Sequence, residues 1–189
     1  MKRNKPNFII IGAMKSGTTS LYSYLRQHPD VFMPSVKEPM FFNNFEQKNN
    51  YYTKGISSNK IKTLDEYYKL FDGVKNESAI GEASPAYIHN YKCPLIIKKH
   101  LPNTKIIAIL RQPAQRAYSN YLHTIRSGKE PIKKFKDALN AEEERIKNNW
   151  GPLYHYKNKG LYYDQLNRYY KTFPKENIHV IIFEDLIKD

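Results

Sequence analysis

The segment Gly12-Ala13-Met14-Lys15-Ser16-Gly17-Thr18-Thr19 has the residue types and spacing to hold an anion. It follows the apolar run Phe8-Ile9-Ile10-Ile11 and precedes a helical stripe of Thr18, Leu21, Tyr22 and Leu25, so it joins a strand to a helix. Its glycines let the backbone turn tightly, and the turn's amides can then surround a negative group at the positive end of the helix. A triphosphate-binding loop of the form GxxxxGK[ST] needs lysine directly after the second glycine, where its ammonium reaches the terminal phosphates. Thr18 stands at that position here, and the loop's lysine is Lys15. The pattern therefore favours a phosphate-type anion over triphosphate chemistry. Without a ligand, the same residues would make only a glycine-containing turn.

Arg111 and Ser119 form a second group. Arg111 leaves the apolar run Lys105–Leu110, and Ser119 lies about two turns into the helix that Pro113 begins. A guanidinium offers a planar donor fork and a serine a hydroxyl, both suited to an anion. Taken alone, the pair could equally be a solvated serine and an arginine on a surface carboxylate. Glu38, between Lys37 and Pro39, is a third candidate, and Pro39 biases it towards an extended backbone. The six histidines form no HExxH motif, and the single cysteine, Cys93, excludes an internal disulfide or a cysteine-rich zinc site.

The elements that must position these groups alternate between strand and helix. Strands are expected at 8–11, 78–82, 105–110 and 178–183, the last as an interior strand. Helices are expected after Gly17, around Leu64–Phe71, over Pro94–His100, after Pro113, near 133–148 and after Gly160. The helix after Pro113 carries a stripe of Ala114, Ala117, Tyr118, Tyr121, Leu122 and Ile125, and Ser119 lies off it. The helix after Gly160 turns Tyr162, Leu166, Tyr169, Tyr170 and Phe173 inward. Residues 43–63 read as loop. This alternation argues for an α/β fold, a three-layer α/β/α with a central parallel sheet of P-loop-like type. Ligands of such sheets bind beyond the carboxyl ends of the strands, where the segments at 12–19, 82–87, 111–119 and 184–185 emerge.

Charge adds a partner class. Lys+Arg 31 against Asp+Glu 18 give a net +13 over 189 residues, a surface that attracts polyanions or phosphorylated small molecules. No apolar run reaches the roughly 20 residues of a spanning helix, so stable membrane insertion is not expected. The chain reads as cytoplasmic, with no signal segment. No RNP, zinc-finger or helix-turn-helix pattern points to nucleic acid.

Several motifs together carry a family resemblance. Phe8 to Leu21, His28-Pro29-Asp30, Lys37 to Phe42, Gly81 to Tyr87, Leu110-Arg111-Gln112-Pro113 to Ser119, and Phe183-Glu184-Asp185-Leu186 are similar to segments of sulfotransferases that use 3′-phosphoadenosine 5′-phosphosulfate (PAPS). The branch resembled is that of the heparan sulfate and bacterial carbohydrate sulfotransferases. The resemblance implies that Lys15 and the amides of Ser16, Gly17, Thr18 and Thr19 hold the 5′-phosphate and sulfonate. It also implies that Arg111 and Ser119 bind the 3′-phosphate, that Glu38 is the general base and that Lys15 acts at the leaving oxygen. PAPS would be the co-substrate, with no metal required and a glycan or small-molecule hydroxyl or amine as acceptor. One departure stands out: heparan-type members carry a lysine after the glutamate of the segment matching Gly81–Pro85, where this chain has Ala83, and Lys37 is a candidate substitute. Acceptor identity and oligomeric state stay open.

Two other function classes remain. Val180 to Asp185 resembles a strand followed by a magnesium-binding acid, as in a P-loop kinase or nucleotide triphosphatase. The charge alone would suit a non-catalytic polyanion-binding module. Residues 1–189 read as one domain, and relatives continue with a basic, glycine-containing segment that nothing here matches. The expectation is a C-terminally truncated domain with apolar surface uncovered near 178–189.

Overall fold

In the computed structural model of the chain, which describes residues 3–45 and 61–188, the site is framed by five parallel strands. These are β1 (Phe8–Gly12), β2 (Val31–Phe32), β3 (Ala79–Ala83), β4 (Lys105–Leu110) and β5 (Ile178–Ile182), in the order β2-β3-β1-β4-β5. Phe8 is in register with Gly81 on one side and Lys105 on the other, and Ile106 is in register with Ile178. β1 is central because every one of its residues is buried, as a continuous apolar run requires. The strand order reverses around β1, which places a crevice at its carboxyl end. There the pairing with β4 slips between Ile10 and Gly12, a bulge that bends the chain into the loop.

The helices are α1 (Thr18–Leu25), α2 (Phe41–Asn44), α3 (Leu64–Lys69), α4 (Cys93–His100), α5 (Pro113–Arg126), α6 (Phe135–Asn140), α7 (Glu142–Lys147), α8 (Tyr162–Tyr170) and α9 (Phe183–Leu186). Alternation along β1 sends Ile9 and Ile11 to one core, with Phe41, Tyr67, Phe71, Ile97 and Tyr169. Phe8 and Ile10 face the other, with Tyr22 of α1. Helices thus cover both faces. A third cluster joins Ala117 and Tyr121 of α5 to Ala138 of α6 and to Tyr156.

The expected strands and helices are present, with four corrections. The helix near 133–148 is two, α6 and α7, broken at Ala141. The buried face of α5 is Arg116, Ala117, Asn120, Tyr121 and Thr124, while Ala114 is exposed and Tyr118 is 49% exposed. On α8, Tyr169 is buried but Tyr170 is 42% exposed. β5 lies at the edge of the sheet rather than inside it. Ile182 of β5 and Ile187 after it are 45% and 63% exposed. β2 and α2 carry no sequence signal of their own, being two and four residues long. Of the expected loop at 43–63, residues 46–60 lie outside the described residues.

The polar face of α5 belongs to a buried network. Glu130 accepts two hydrogen bonds from Arg145, at 2.8 and 2.6 Å, and a third from the Tyr156 hydroxyl. The ion pair is almost wholly buried, with side chains 5% and 0% exposed. Removing one partner would strand the other charge in a dry interior. Arg145→Met is expected to lower unfolding free energy by about 3–5 kcal/mol, measured by chemical denaturation. A loss below about 1 kcal/mol, the range of a surface pair, would contradict this burial.

Candidate active site

The anion loop is built by the end of β1 and the start of α1. Gly17 caps α1 with φ +84, a left-handed backbone that a Cβ-bearing residue resists, and an added Cβ would lie 2.8 Å from the Phe183 ring. Leu21 N bonds to Gly17 O at 3.1 Å, so the amides of Thr18, Thr19 and Ser20 form the unsatisfied positive end of the helix. Gly17, Thr18, Thr19 and Ser20 all line one cleft of about 500 Å³. Ser16 differs from expectation: its side chain is buried, and its amide donates to Ala13 O at 3.3 Å. It closes the turn rather than lining the cleft.

The same cleft brings Lys15, Glu38, Arg111 and Ser119 together, although they come from three separate segments. Lys15 adopts φ +68 at the crest of the loop. Burial pushes its ammonium below the usual lysine range, Arg126, Arg111 and Lys37 push the same way, and Glu38 opposes them. Arg111 leaves β4 and is held over the Phe183 ring at 4.8 Å, with Nη1 donating to Lys15 O at 3.3 Å. Its Nε is buried without a hydrogen-bond partner among the described residues. Ser119 is half-buried on the cleft side of α5.

Glu38 reaches the cleft by a route the sequence did not indicate. Its φ is +55, left-handed rather than extended, and Met40 follows at +48. The carboxyl end of β3 fixes this turn: Glu38 N donates to Ala83 O at 3.1 Å, and Met40 N donates to Ser84 Oγ at 2.9 Å. Ser84 Oγ donates in turn to Glu82 Oε2 at 2.8 Å, and the Tyr67 hydroxyl donates to Glu82 Oε1 at 3.2 Å. These bonds outweigh the bias from Pro39. Burial raises the Glu82 pKa to about 7, and the group acts on Glu38 through this scaffold. Lys37 forms an ion pair with Glu38. It does not itself line the cleft.

Two residues of the site escaped the sequence reading. His123 and Arg126 follow Ser119 by one and two helical turns, and a second cleft of about 350 Å³ continues past them from Lys15 and Arg111. The i+4 and i+7 spacing from Ser119 was the available signal. Burial and the neighbouring Lys15 lower the His123 pKa. Of the acids Glu184 and Asp185 that follow β5, Glu184 accepts a hydrogen bond from Gln112 N at 2.9 Å, at the start of α5, and Asp185 accepts one from Lys188 Nζ at 2.9 Å.

Comparison with known proteins identifies the family of the chain. A family model described as a sulfotransferase domain matches residues 5–189. The chain belongs to the sulfotransferase domain family. A crystal structure of a sulfotransferase from Alicyclobacillus acidocaldarius is 40% identical with a TM-score of 0.89, covering 98% of this chain and 76% of that one. Heparan sulfate glucosamine 3-O-sulfotransferase 5 of Mus musculus is 32% identical over 187 residues, 97% of this chain and 49% of its own length. A mouse sulfotransferase crystallised with PAP shares the fold at a TM-score of 0.55 and 14% identity, covering 100% of this chain and 55% of that one. The chain spans about half the length of curated relatives such as the 3-O-sulfotransferase.

The loop geometry makes a direct prediction. Gly17→Ala forces a side chain against Phe183 in a backbone region that disfavours it. Inorganic sulfate is expected to raise the melting temperature of the wild-type sulfotransferase domain and to leave that of Gly17→Ala unchanged. Equal protection of both proteins would show that the anion does not sit in this loop.

Proposed function

We propose that this sulfotransferase domain, with residues 1–189 acting as one unit, transfers the sulfuryl group of PAPS to a hydroxyl or amine of a carbohydrate acceptor. The observation that carries the reading is the convergence of Lys15, Arg111, Ser119 and Glu38 on one cleft at the positive end of α1. The donor set fits a molecule with two anionic ends: amides and Lys15 at one, Arg111 and Ser119 at the other. The buried, unpartnered Nε of Arg111 lacks an acceptor that a phosphate would supply. The names of the heparan sulfate relatives favour a glycan acceptor, and the mouse neighbour bound to PAP favours a PAPS-type donor.

PAPS supplies an activated sulfuryl group. In this reading, the Glu38 carboxylate accepts the proton of the acceptor as its oxygen or nitrogen attacks sulfur. The Lys15 ammonium and the amides of Thr18 and Thr19 stabilise the negative charge that grows on the bridging oxygen of the leaving phosphate. Arg111 and Ser119 hold the 3′-phosphate and so fix the donor's position. The Phe183 ring, 4.8 Å from the Arg111 guanidinium carbon, packs beside that fork in the cleft.

A transfer assay with radiolabelled PAPS against glycans, phenols and amines tests the reaction, and label appearing on glycans is the expected result. Glu38→Gln should lower turnover by about 100-fold while leaving PAP affinity nearly intact; unchanged turnover removes Glu38 from the mechanism. Arg111→Ala should weaken PAP binding by about tenfold or more, the loss of a charge-assisted hydrogen bond of roughly 1.5–3 kcal/mol. It should barely affect binding of the analogue that lacks the 3′-phosphate. Equal losses for both ligands would overturn the assignment of Arg111.

A further inference from the structure

A layer of buried cations lies against the anion loop, and the reaction described above leaves it unused. Lys159 is 5% exposed and Arg116 is 0% exposed. Lys159 belongs to a 3₁₀ turn, Asn158–Gly160, seated on the start of α5, where a Cβ added to Gly160 would lie 3.1 Å from Pro113. Its ammonium donates to Met14 Sδ at 3.2 Å, its one hydrogen bond among the described residues, and Met14 lines the cleft beside Lys15. Arg116 gives one donor to Tyr156 O, while its Nε and Nη1 are buried without partners among the described residues.

The counter-charge is small. Glu142 is the one carboxylate acting on both cations, and its oxygens accept the amides of Lys157 and Asn158. The other titratable groups facing Lys159 are His89 and His155. Burial and Lys159 itself push their pKa values down to about 2 and about 4, so both are neutral near pH 7. Two cations thus face one carboxylate in a dry layer, an arrangement that opposes keeping both charges. Burial first, then Arg116, lowers the Lys159 pKa to about 7, with Glu142 opposing. An anion in the loop would be the missing counter-charge.

We propose that Lys159 is a positioning residue for the anion loop, a buried ammonium that orders the Met14–Lys15 turn and takes up its proton when a phosphate or phosphosulfate occupies the loop. This rests on the anion-binding reading of the loop. The sign of the pH effects follows. The depressed pKa means that Lys159 opposes folding fully below about pH 7, and this opposition fades as pH rises towards the ordinary 10.5. Ligand affinity runs the other way, strongest where Lys159 is charged and falling above about pH 7.

The test is calorimetric PAP affinity of the wild type and Lys159→Met between pH 6.5 and 9, with melting temperatures of the ligand-free proteins. The substitution keeps the length and removes the charge, and Lys159→Gln replaces it if Lys159→Met does not fold. At pH 6.5 the variant should bind PAP about tenfold more weakly, the effect of one charge acting across a layer of protein at an effective dielectric constant of about 20. By pH 9 the two affinities should converge, because Lys159 has then lost its charge in the wild type, while the titration of the phosphates and Lys15 is common to both proteins. The variant's melting temperature at pH 6.5 should match or exceed the wild type's. A lower melting temperature with parallel pH profiles would overturn the proposal and make Lys159 merely structural. PAP bound equally by both proteins at every pH would also overturn it, while leaving the loop's role intact. Failure of the wild type to bind PAP would overturn both.

Discussion

Positive charge crowded at the end of one buried strand is the constraint on which the rest of this molecule depends. Lys15, Arg111 and Arg126 line the two adjoining clefts, and Lys159 is buried against Met14 of the loop, with Arg116 buried as well. Such a cluster repels itself, so it persists only where the frame leaves its members no room to separate. β1 supplies that frame with five buried residues, and each neighbouring strand delivers one wall of the site. β3 pins the turn of Glu38, β4 leads into Arg111, and the chain leaving β5 lays Phe183 against Gly17 and Arg111. Burial first, then repulsion from neighbouring cations, lowers the pKa values of Lys15, His123 and Lys159, and Glu38 and Glu142 oppose it only in part.

That pressure distinguishes the site from a triphosphate loop. A magnesium-dependent loop gathers its lysine and a magnesium-binding acid around the β- and γ-phosphates. Here Thr18 occupies the lysine's position, and the acid after β5, Glu184, binds the backbone at the start of α5. The segment containing Ala83 shows a related economy. Ala83 is 1% exposed in the core cluster with Phe8, Ile10 and Tyr22, so this end of β3 contributes its carbonyl and Ser84 rather than a cation. The clefts' cations come from the loop, the end of β4 and α5.

Much of this was legible in the chain because continuous apolar runs and glycine-bounded turns are strong local signals. β1, β4, α3 and α4 follow directly from them, and the sulfotransferase motifs located Lys15, Glu38, Arg111 and Ser119 before any geometry was known. What the sequence hid was decided by long-range contacts. Glu38 is left-handed because hydrogen bonds from β3 residues distant in the chain prevail over the local preference set by Pro39. The buried face of α5 is polar, with Arg116, Asn120 and Thr124, because it packs on a hydrogen-bonded layer rather than on the sheet's apolar core. A stripe drawn through apolar residues alone therefore misplaced Ala114 and Tyr118. Lys159 gave no signal at all, since a lysine beside a glycine reads as a solvated turn until its burial is seen.

The central claim is that this cleft reads a 3′-phosphorylated, 5′-phosphosulfate-type nucleotide and not a magnesium triphosphate. Calorimetric titration of the same protein with PAP and with ATP–magnesium tests it most directly. The account predicts saturable binding of PAP and binding of ATP–magnesium weaker by at least about tenfold, the contribution of the 3′-phosphate contacts. Equal or tighter binding of ATP–magnesium would contradict it.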